Sequence, residues 1–105
     1  MSYKIRPVLI IAKADVGDYV ALPVSTISRS QNIDPVYDIK VDPSIYPRTN
    51  LRRVSYVRTH KQIIVHIGEL VGVIGDLYTE YEDVYLDILE KRTIFSGKID
   101  EQALK

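Results

Sequence analysis

Short apolar runs separated by turn-forming residues make up the first part of this chain. Pro7 to Lys13 (PVLIIAK) is apolar, β-branched and too short for a stable helix, so it predicts a buried strand. Turn residues at 14–18 separate it from a second predicted strand, Tyr19 to Val24 (YVALPV), and the two are expected to form a hairpin. Pro23 lies inside the second run, which predicts an edge position, a bulge or the end of the strand.

Three shorter strands are predicted further along the chain. Two Asp-Pro pairs, at 34–35 and 42–43, predict turns on either side of a strand near Val36 to Val41. Arg53 to Thr59 alternates between apolar and polar residues, which places its even-numbered side chains on one face of a strand and its odd-numbered side chains on the other. Gln62 to Val65 is a further short strand.

The end of the chain has the longer period that is typical of helices. Glu69 to Leu77 predicts a short helix, weakened by its two glycines. Thr79 to Phe95 predicts a longer one, since Thr79 and Glu82 have capping-box spacing and Gly97 offers a stop. The apolar stripe of this helix is Tyr81, Val84, Tyr85, Ile88, Arg92 and Phe95. Strands followed by helices predict one α+β domain over residues 1–105, a small twisted antiparallel sheet or barrel with a helix covering one end.

Composition narrows the class of protein. The 105 residues are 46% hydrophobic and 27% charged, as in an ordinary globular domain. No apolar stretch approaches the roughly 18 residues of a membrane span, and no signal peptide is expected. The absence of cysteine excludes disulfides and thiolate metal sites, which favours the cytoplasm.

The zero net charge conceals an uneven distribution. Residues 1–68 carry ten Lys/Arg and five Asp/Glu, about +5, whereas residues 69–105 carry four and nine, about −5. This distribution suits a molecule with one face for an anion, although the acids could equally be the solvated side of a terminal helix. With two histidines and neither an HExxH motif nor a glycine-rich phosphate loop, neither a metal nor another cofactor is expected.

Basic and aromatic residues are interleaved between Arg48 and His66. Arginine forks match phosphate oxygens, and tyrosine faces stack on unpaired bases, so this region is a candidate nucleic-acid surface. The alternative is an ordinary solvated sheet face. The residues expected to bind RNA, if RNA is the ligand, are Arg29, Arg52, Arg53, Tyr56, Arg58, His60 and Lys61.

The segment RPVLII at 6–11, followed about a dozen residues later by LPVST at 22–26, resembles the MazF/PemK family of toxin endoribonucleases. In that family an Arg-Pro opens a hydrophobic strand, and the next strand ends in an apolar-Pro-apolar segment and a Thr or Ser. Residues 51–61, which contain Val57-Arg58-Thr59, are similar to a later strand of the family, and the predicted long helix fits its C-terminal helix. The likeness covers nearly the whole chain from Lys4 onward.

The resemblance implies an SH3-like barrel with a short helix and a longer C-terminal helix. It also implies a cytoplasmic homodimer that cuts single-stranded RNA without metal and is neutralised by an antitoxin protein. In such toxins the arginine of the Arg-Pro and the Thr or Ser after the second strand act on the scissile phosphate. Carried over by position, these residues are Arg6 and Ser25, with Thr26 adjacent and able to substitute.

One departure from the family leaves a second hypothesis open. The family usually begins with a Gly-Asp strand and a flexible loop before the Arg-Pro, whereas five residues precede Arg6 here. That strand and loop, which contribute to the RNA groove and to antitoxin contacts, are therefore expected to be absent. The alternative to a nuclease is a non-catalytic binding module on the same barrel, one that recognises a peptide or nucleic acid.

Overall fold

The computed structural model describes residues 5–104. The strands of this range are β1 (Val8–Asp15), β2 (Asp18–Ser25), β3 (Asp38–Val41), β4 (Ser55–Arg58) and β5 (Ile63–His66). The helices are α1 (Leu77–Glu80) and α2 (Glu82–Ala103), and short 3-10 turns occur at Ser30–Asn32, Pro47–Thr49 and Ile67–Glu69. The predicted α+β class is confirmed, with an antiparallel five-stranded arrangement, one short helix and one long C-terminal helix that are consistent with a small barrel.

Strand β2 is the centre of the sheet. It pairs with β1 along one edge, while β5 and then β4 pair with its other edge, and β3 pairs with β4. Ala21 lies opposite Ile63, and Val24 lies opposite Val57. Between these two pairs, β2 has two residues, 22 and 23, whereas the segment that joins β4 to β5 has five, 58–62. That segment therefore carries three extra residues at this point. The sheet can change direction here, because β4 and β5 are in effect one strand interrupted by a bulge.

Pro23 faces this interruption. The Val24 N–H donates to the Pro7 carbonyl, 3.2 Å away, on the β1 side of β2. Since backbone groups point to alternate edges along a strand, the missing N–H of Pro23 is directed to the other edge, where the bulge lies. A proline in this central strand therefore removes no ladder hydrogen bond, and a bulge was one of the contexts that the sequence predicted for it.

The core lies between one face of the sheet and α2. Its buried side chains are Leu22, Val24, Val41, Val57 and Ile88. Leu22 and Ile88 are completely buried, so the helix contributes a central residue to the core. In β4, Ser55 and Val57 are buried whereas Tyr56 and Arg58 are only half-buried, which confirms the predicted alternation of faces. The core therefore occupies one side of the sheet, and the even-numbered residues of β4 face the other side.

The helix predicted over Glu69–Leu77 is wrong. Residues 70–76 have no regular secondary structure, and Val71 and Val73 are 78% and 91% exposed. An apolar segment whose side chains are largely exposed gains little from forming a helix, and two glycines add to the cost. The chain is instead held by a hydrogen bond from the Asn50 side-chain amide to the Ile74 carbonyl. At Gly75 a Cβ atom would lie only 2.9 Å from a main-chain carbonyl oxygen, so the glycine permits this close approach.

The predicted ends of the long helix are also wrong. Thr79 does not cap the long helix, which begins after Tyr81 without a side-chain capping hydrogen bond. The capping side chain is Asp76, which precedes the separate helix α1, and its carboxylate accepts the Thr79 N–H at 3.1 Å and the Thr79 hydroxyl at 2.9 Å. These bonds hold the pKa of Asp76 below its usual range, with the Thr79 N–H as the largest cause. This cap starts α1, and α2 begins separately at Glu82. Gly97 does not stop α2, because a single exposed glycine costs about 1 kcal/mol, which the rest of a 22-residue helix can absorb.

Candidate nucleic-acid interface

The register of the β1–β2 hairpin runs towards Arg6 and Ser25. Val8 lies opposite Pro23 and Leu9 lies opposite Leu22, and the hydrogen bond from the Val24 N–H to the Pro7 carbonyl continues this register by one residue. Continued by one further residue, beyond the start of β1, the same register would set Arg6 opposite Ser25. This pair is of the non-hydrogen-bonded type, in which opposed Cα atoms are about 4.5 Å apart and side chains lie close together on one face.

Two further residues continue this alignment across the sheet. Ser25 lies opposite Tyr56 of β4, and Tyr56 lies opposite Lys40 of β3. We call Arg6, Ser25, Tyr56 and Lys40 the cross-strand row. Because opposed residues of antiparallel strands share a face, the row lies on the side of the sheet away from the core. Its two cations are exposed, and its serine and tyrosine are half-buried.

Pro7 determines how Arg6 is presented. In a hydrogen-bonded pair both residues exchange N–H and C=O, but Pro7 has no N–H to return to Val24, so the ladder ends there with one hydrogen bond. Pro7 also lines an apolar pocket together with Leu9, Val24 and Val57. The proline ring is thus on the core side of the sheet, and its fixed φ holds the preceding arginine at the edge of the opposite face.

The other residues predicted to contact RNA from loops remain accessible. Thr26 follows the last residue of β2 and is exposed. Arg29 directly precedes the first 3-10 turn, Arg52 and Arg53 precede β4, and Lys61 lies in the bulge between β4 and β5. All of these are exposed, and none of the four cations forms an ion pair with another described residue. Their roles in binding stay predictions.

Arg58 and His60 have a different environment, which the sequence did not indicate. The Arg58 guanidinium donates to the carboxylate of Asp38 through Nε at 3.1 Å and Nη2 at 3.5 Å, and the His60 Nδ1 atom lies 3.8 Å from the same carboxylate. The Asp38 side chain is completely buried. These contacts give Arg58 a structural partner inside the sheet, so its charge is largely balanced before any ligand arrives. Its assignment as an RNA-binding residue stays a prediction.

A turn closes over the Asp38 carboxylate. The Asp34 N–H donates to Asp38 Oδ2 at 2.8 Å, while Asp34 Oδ1 accepts the N–H groups of Val36 and Tyr37. The Tyr37 N–H, followed by the Val36 N–H, holds the pKa of Asp34 below its ordinary value. The turn predicted at this Asp-Pro pair is therefore present. It explains how a carboxylate on the outer side of the sheet becomes buried.

An aromatic cluster joins this turn to the long helix. Tyr37 packs edge-on against Phe95 of α2 with ring centroids 5.0 Å apart, and His60 lies 5.8 Å from the Tyr37 ring. Arg92 of α2 donates to the Gln62 side chain at 2.7 Å. The helix thus fixes the far end of the sheet, beyond the Asp38 pair, and leaves the cross-strand row uncovered by these contacts.

The cross-strand row supplies hydrogen-bond donors, but it contains no histidine or carboxylate that could accept a proton. A guanidinium and a hydroxyl side by side can both donate hydrogen bonds to the non-bridging oxygens of one phosphate. Within residues 5–104, no group of three or more His, Cys, Asp or Glu residues is arranged to hold a metal ion. In the same range no helix is both long enough and apolar enough to cross a membrane.

Neither models of protein families nor curated proteins give a match to this chain. The arrangement of the row is therefore the main basis for assigning a function.

Proposed function

We propose that this protein is a MazF/PemK-like toxin that cleaves single-stranded RNA, including mRNA, without a metal ion. The observation that supports the proposal is the register of the β1–β2 hairpin, which, continued by one residue past the hydrogen bond between Val24 and Pro7, sets Arg6 opposite Ser25 on the outer face of the sheet. A fixed cation and a hydroxyl at one point suit a phosphodiester. The protein would act in the cytoplasm as a homodimer and be neutralised by a partner antitoxin.

The proposed reaction is attack of a ribose 2′-OH on its own phosphate. The 2′-oxygen forms a bond to phosphorus and the bond to the 5′-oxygen breaks, which leaves a cyclic phosphate on one product and a 5′-hydroxyl on the other. Negative charge builds on the non-bridging oxygens as the bond forms. Donors from Arg6 and Ser25 directed at those oxygens bind the transition state more strongly than the ground state. A guanidinium keeps its proton in proteins and is a poor base, so the proposed role of Arg6 is charge stabilisation.

Exposed aliphatic side chains support the homodimer. Ile64 of β5 is 56% exposed, and most aliphatic residues from there to Ile74 are also exposed in the described chain. Extensive exposed apolar surface is typical of protein interfaces. Sedimentation analysis of the purified protein would test this part of the proposal, with a monomer at micromolar concentration as the contrary result.

The test of the nuclease is cleavage of unstructured RNA in EDTA by purified protein. We expect products with cyclic phosphate ends, loss of cleavage in Arg6→Ala, and unchanged cleavage in Lys13→Ala. Lys13 is a suitable control because it is an exposed cation of β1, opposite Tyr19, and lies outside both the row and the basic region 48–66. Equal degradation by wild type and Arg6→Ala would indicate a contaminating nuclease and remove the enzymatic proposal.

A binding module on the same barrel is the second candidate. The observation in its favour is that the cross-strand row contains neither an imidazole nor a carboxylate, so no residue of the row is an evident general base. Such a module would bind RNA or a peptide saturably and release no product over hours. Salt-dependent RNA binding without cleavage would favour it over the nuclease.

A further inference from the structure

We propose that the cross-strand row is a track for single-stranded RNA, which runs across the strands so that Lys40 binds a second phosphate and Tyr56 stacks on a base between the two phosphates. This inference rests on RNA as the ligand in the proposed function. It adds Lys40, which no sequence pattern singled out, and it gives the bound strand a direction relative to the sheet.

The spacing of the strands suits such a path. Neighbouring strands are about 4.8 Å apart, so Ser25 and Lys40, two strand intervals apart, are separated by roughly 10 Å at the backbone. Successive nucleotides of a helical strand rise about 3.4 Å, and unstacking lengthens that step. About three stacked nucleotides, or fewer where the strand is unstacked, therefore cover the distance from the phosphate at Ser25 to a phosphate at Lys40.

The chemistry along the row alternates in the way a nucleic-acid strand requires. Lys40 is exposed and forms no ion pair with a described residue, so its charge remains available for a phosphate. Tyr56, between Ser25 and Lys40, is half-buried in the sheet and is thus held in place. Aromatic side chains between cationic contacts are the usual arrangement for binding single strands, since every base has a face that stacks.

Neighbouring acids weaken the positive field of the row only in part. Asp42, two residues beyond Lys40, directs its carboxylate to the N–H and hydroxyl of Ser44, at 2.9 and 2.8 Å. On the other side of the row, the Asp38 carboxylate is neutralised by Arg58. The net charge of the row itself is therefore positive. A tyrosine between its cations favours RNA over a merely acidic peptide.

The test uses a mixed-sequence 2′-O-methyl RNA of ten nucleotides, which cannot be cleaved because the attacking hydroxyl is blocked. Its affinity is measured by fluorescence anisotropy between 50 and 200 mM salt. Loss of one phosphate contact lowers the slope of log affinity against log salt by about 0.7 for a single strand. We expect this change for Lys40→Gln. The control Lys13→Gln removes an exposed lysine from β1, opposite Tyr19 and outside the row, and should leave the slope unchanged.

Variants of Tyr56 test the stacking step. Tyr56→Leu should weaken binding about 5-fold to 100-fold with little change in salt slope, while Tyr56→Phe should bind nearly as well as wild type. Equal slopes for Lys40→Gln and Lys13→Gln, or equal affinities for Tyr56→Leu and wild type, would overturn the track. Cleavage of ordinary RNA by the wild type is scored separately. Wild-type cleavage without Lys40 dependence rejects the track alone, Lys40-dependent binding without cleavage rejects the nuclease alone, and no RNA binding rejects both.

Discussion

Removal of the Asp38 carboxylate is expected to be among the most damaging single changes to this fold. Asp38 lies on β3 with a completely buried side chain, and it accepts two hydrogen bonds from Arg58 and one from the Asp34 N–H. Asp38→Ala leaves the Arg58 guanidinium and this N–H without their acceptor. The turn that starts at Asp34 also loses its attachment to the sheet.

The expected cost follows from these contacts. Hydrogen bonds to a charged group contribute about 1.5–3 kcal/mol, and a buried N–H left unpaired costs about 1–3 kcal/mol. Breaking a fully buried ion pair costs about 3–5 kcal/mol. Arg58 is 27% exposed, so its guanidinium can reach water, and this lowers the total. We expect Asp38→Ala to reduce the free energy of unfolding by about 2–4 kcal/mol, which lowers the urea midpoint by roughly 1–2 M.

Urea unfolding followed by circular dichroism measures this effect, and a surface pair provides the control. Asp87 and Lys91 form an i,i+4 pair on α2 at 3.1 Å, with the Asp87 side chain 47% exposed. Asp87→Ala loses about 0.5 kcal/mol of pair energy but gains helix propensity, so its midpoint should hardly move. If Asp38→Ala were no more destabilising than Asp87→Ala, the argument that the buried pair stabilises the sheet would be refuted.

Three further predictions concern stability and are tested by urea, thermal or acid unfolding. Ile88→Ala should cost about 2–5 kcal/mol because Ile88 is completely buried, whereas Ile94→Ala, at a position 42% exposed, should cost far less in the same urea titration. Gly75→Ala should lower the free energy of unfolding by about 1–3 kcal/mol, since the added Cβ would lie 2.9 Å from a carbonyl oxygen. Gly72→Ala should not destabilise, because nothing lies within 4 Å of a Cβ at that position. If thermal melting showed Gly72→Ala to be the less stable variant, the path described for 70–76 would be contradicted. The pKa of Asp34 is lowered from 3.8 in the folded state, so its contribution to stability is complete above about pH 4 and is lost as pH falls through the lower folded value. Asp34→Asn, which can still accept the two turn N–H groups, should make acid unfolding less steep below about pH 4, and an unchanged acid profile would count against this role.

The sequence was sufficient to predict the positions of the strands but not the helix ends. Each strand was predicted within about two residues, from apolar runs, from flanking turn residues and, for β4, from the alternation of faces. The expectation that β1 is buried was wrong, because none of its residues is fully buried and most of them are exposed. The segment 69–77 was apolar enough to suggest a helix, yet its side chains are exposed. Apolar composition does not reveal whether another element covers a segment. The predicted cap was wrong because Thr79 lies inside α1, which Asp76 caps, whereas α2 begins after Tyr81 without a side-chain cap. Both Asp76 and Thr79 have the chemistry of an N-cap, and only the chain path decides which of them acts as one.

Pairing between distant strands accounts for what sequence reasoning missed in the candidate site. Arg58 was placed on the correct face of β4, but its partner Asp38 is 20 residues away and belongs to another strand. Lys40 was not considered at all, because nothing near it in sequence suggests a ligand. A shift of one residue in the pairing of β3 with β4 would have put Lys40 opposite a core position instead of Tyr56. Register is a property of the whole sheet and cannot be read from one strand.

The position of Arg6 shows how a proline can serve both the scaffold and the site. If Arg6 were only a solvated charge at the start of a strand, the next residue could be any strand former, and the β1–β2 ladder would continue past it. Pro7 ends the ladder at a single hydrogen bond and places its own ring on the core side. The arginine is then held opposite Ser25 at the edge of the sheet, where its guanidinium is not needed for pairing or packing. Substitution of Pro7 by valine separates the role of this residue in the strand from its role in presenting Arg6. A β-branched residue keeps the strand and restores the missing N–H, but it no longer fixes the φ angle next to Arg6. We expect Pro7→Val to retain stability within about 1 kcal/mol and to lower cleavage more than binding, whereas equal loss of both would mean that Arg6 acts through binding alone.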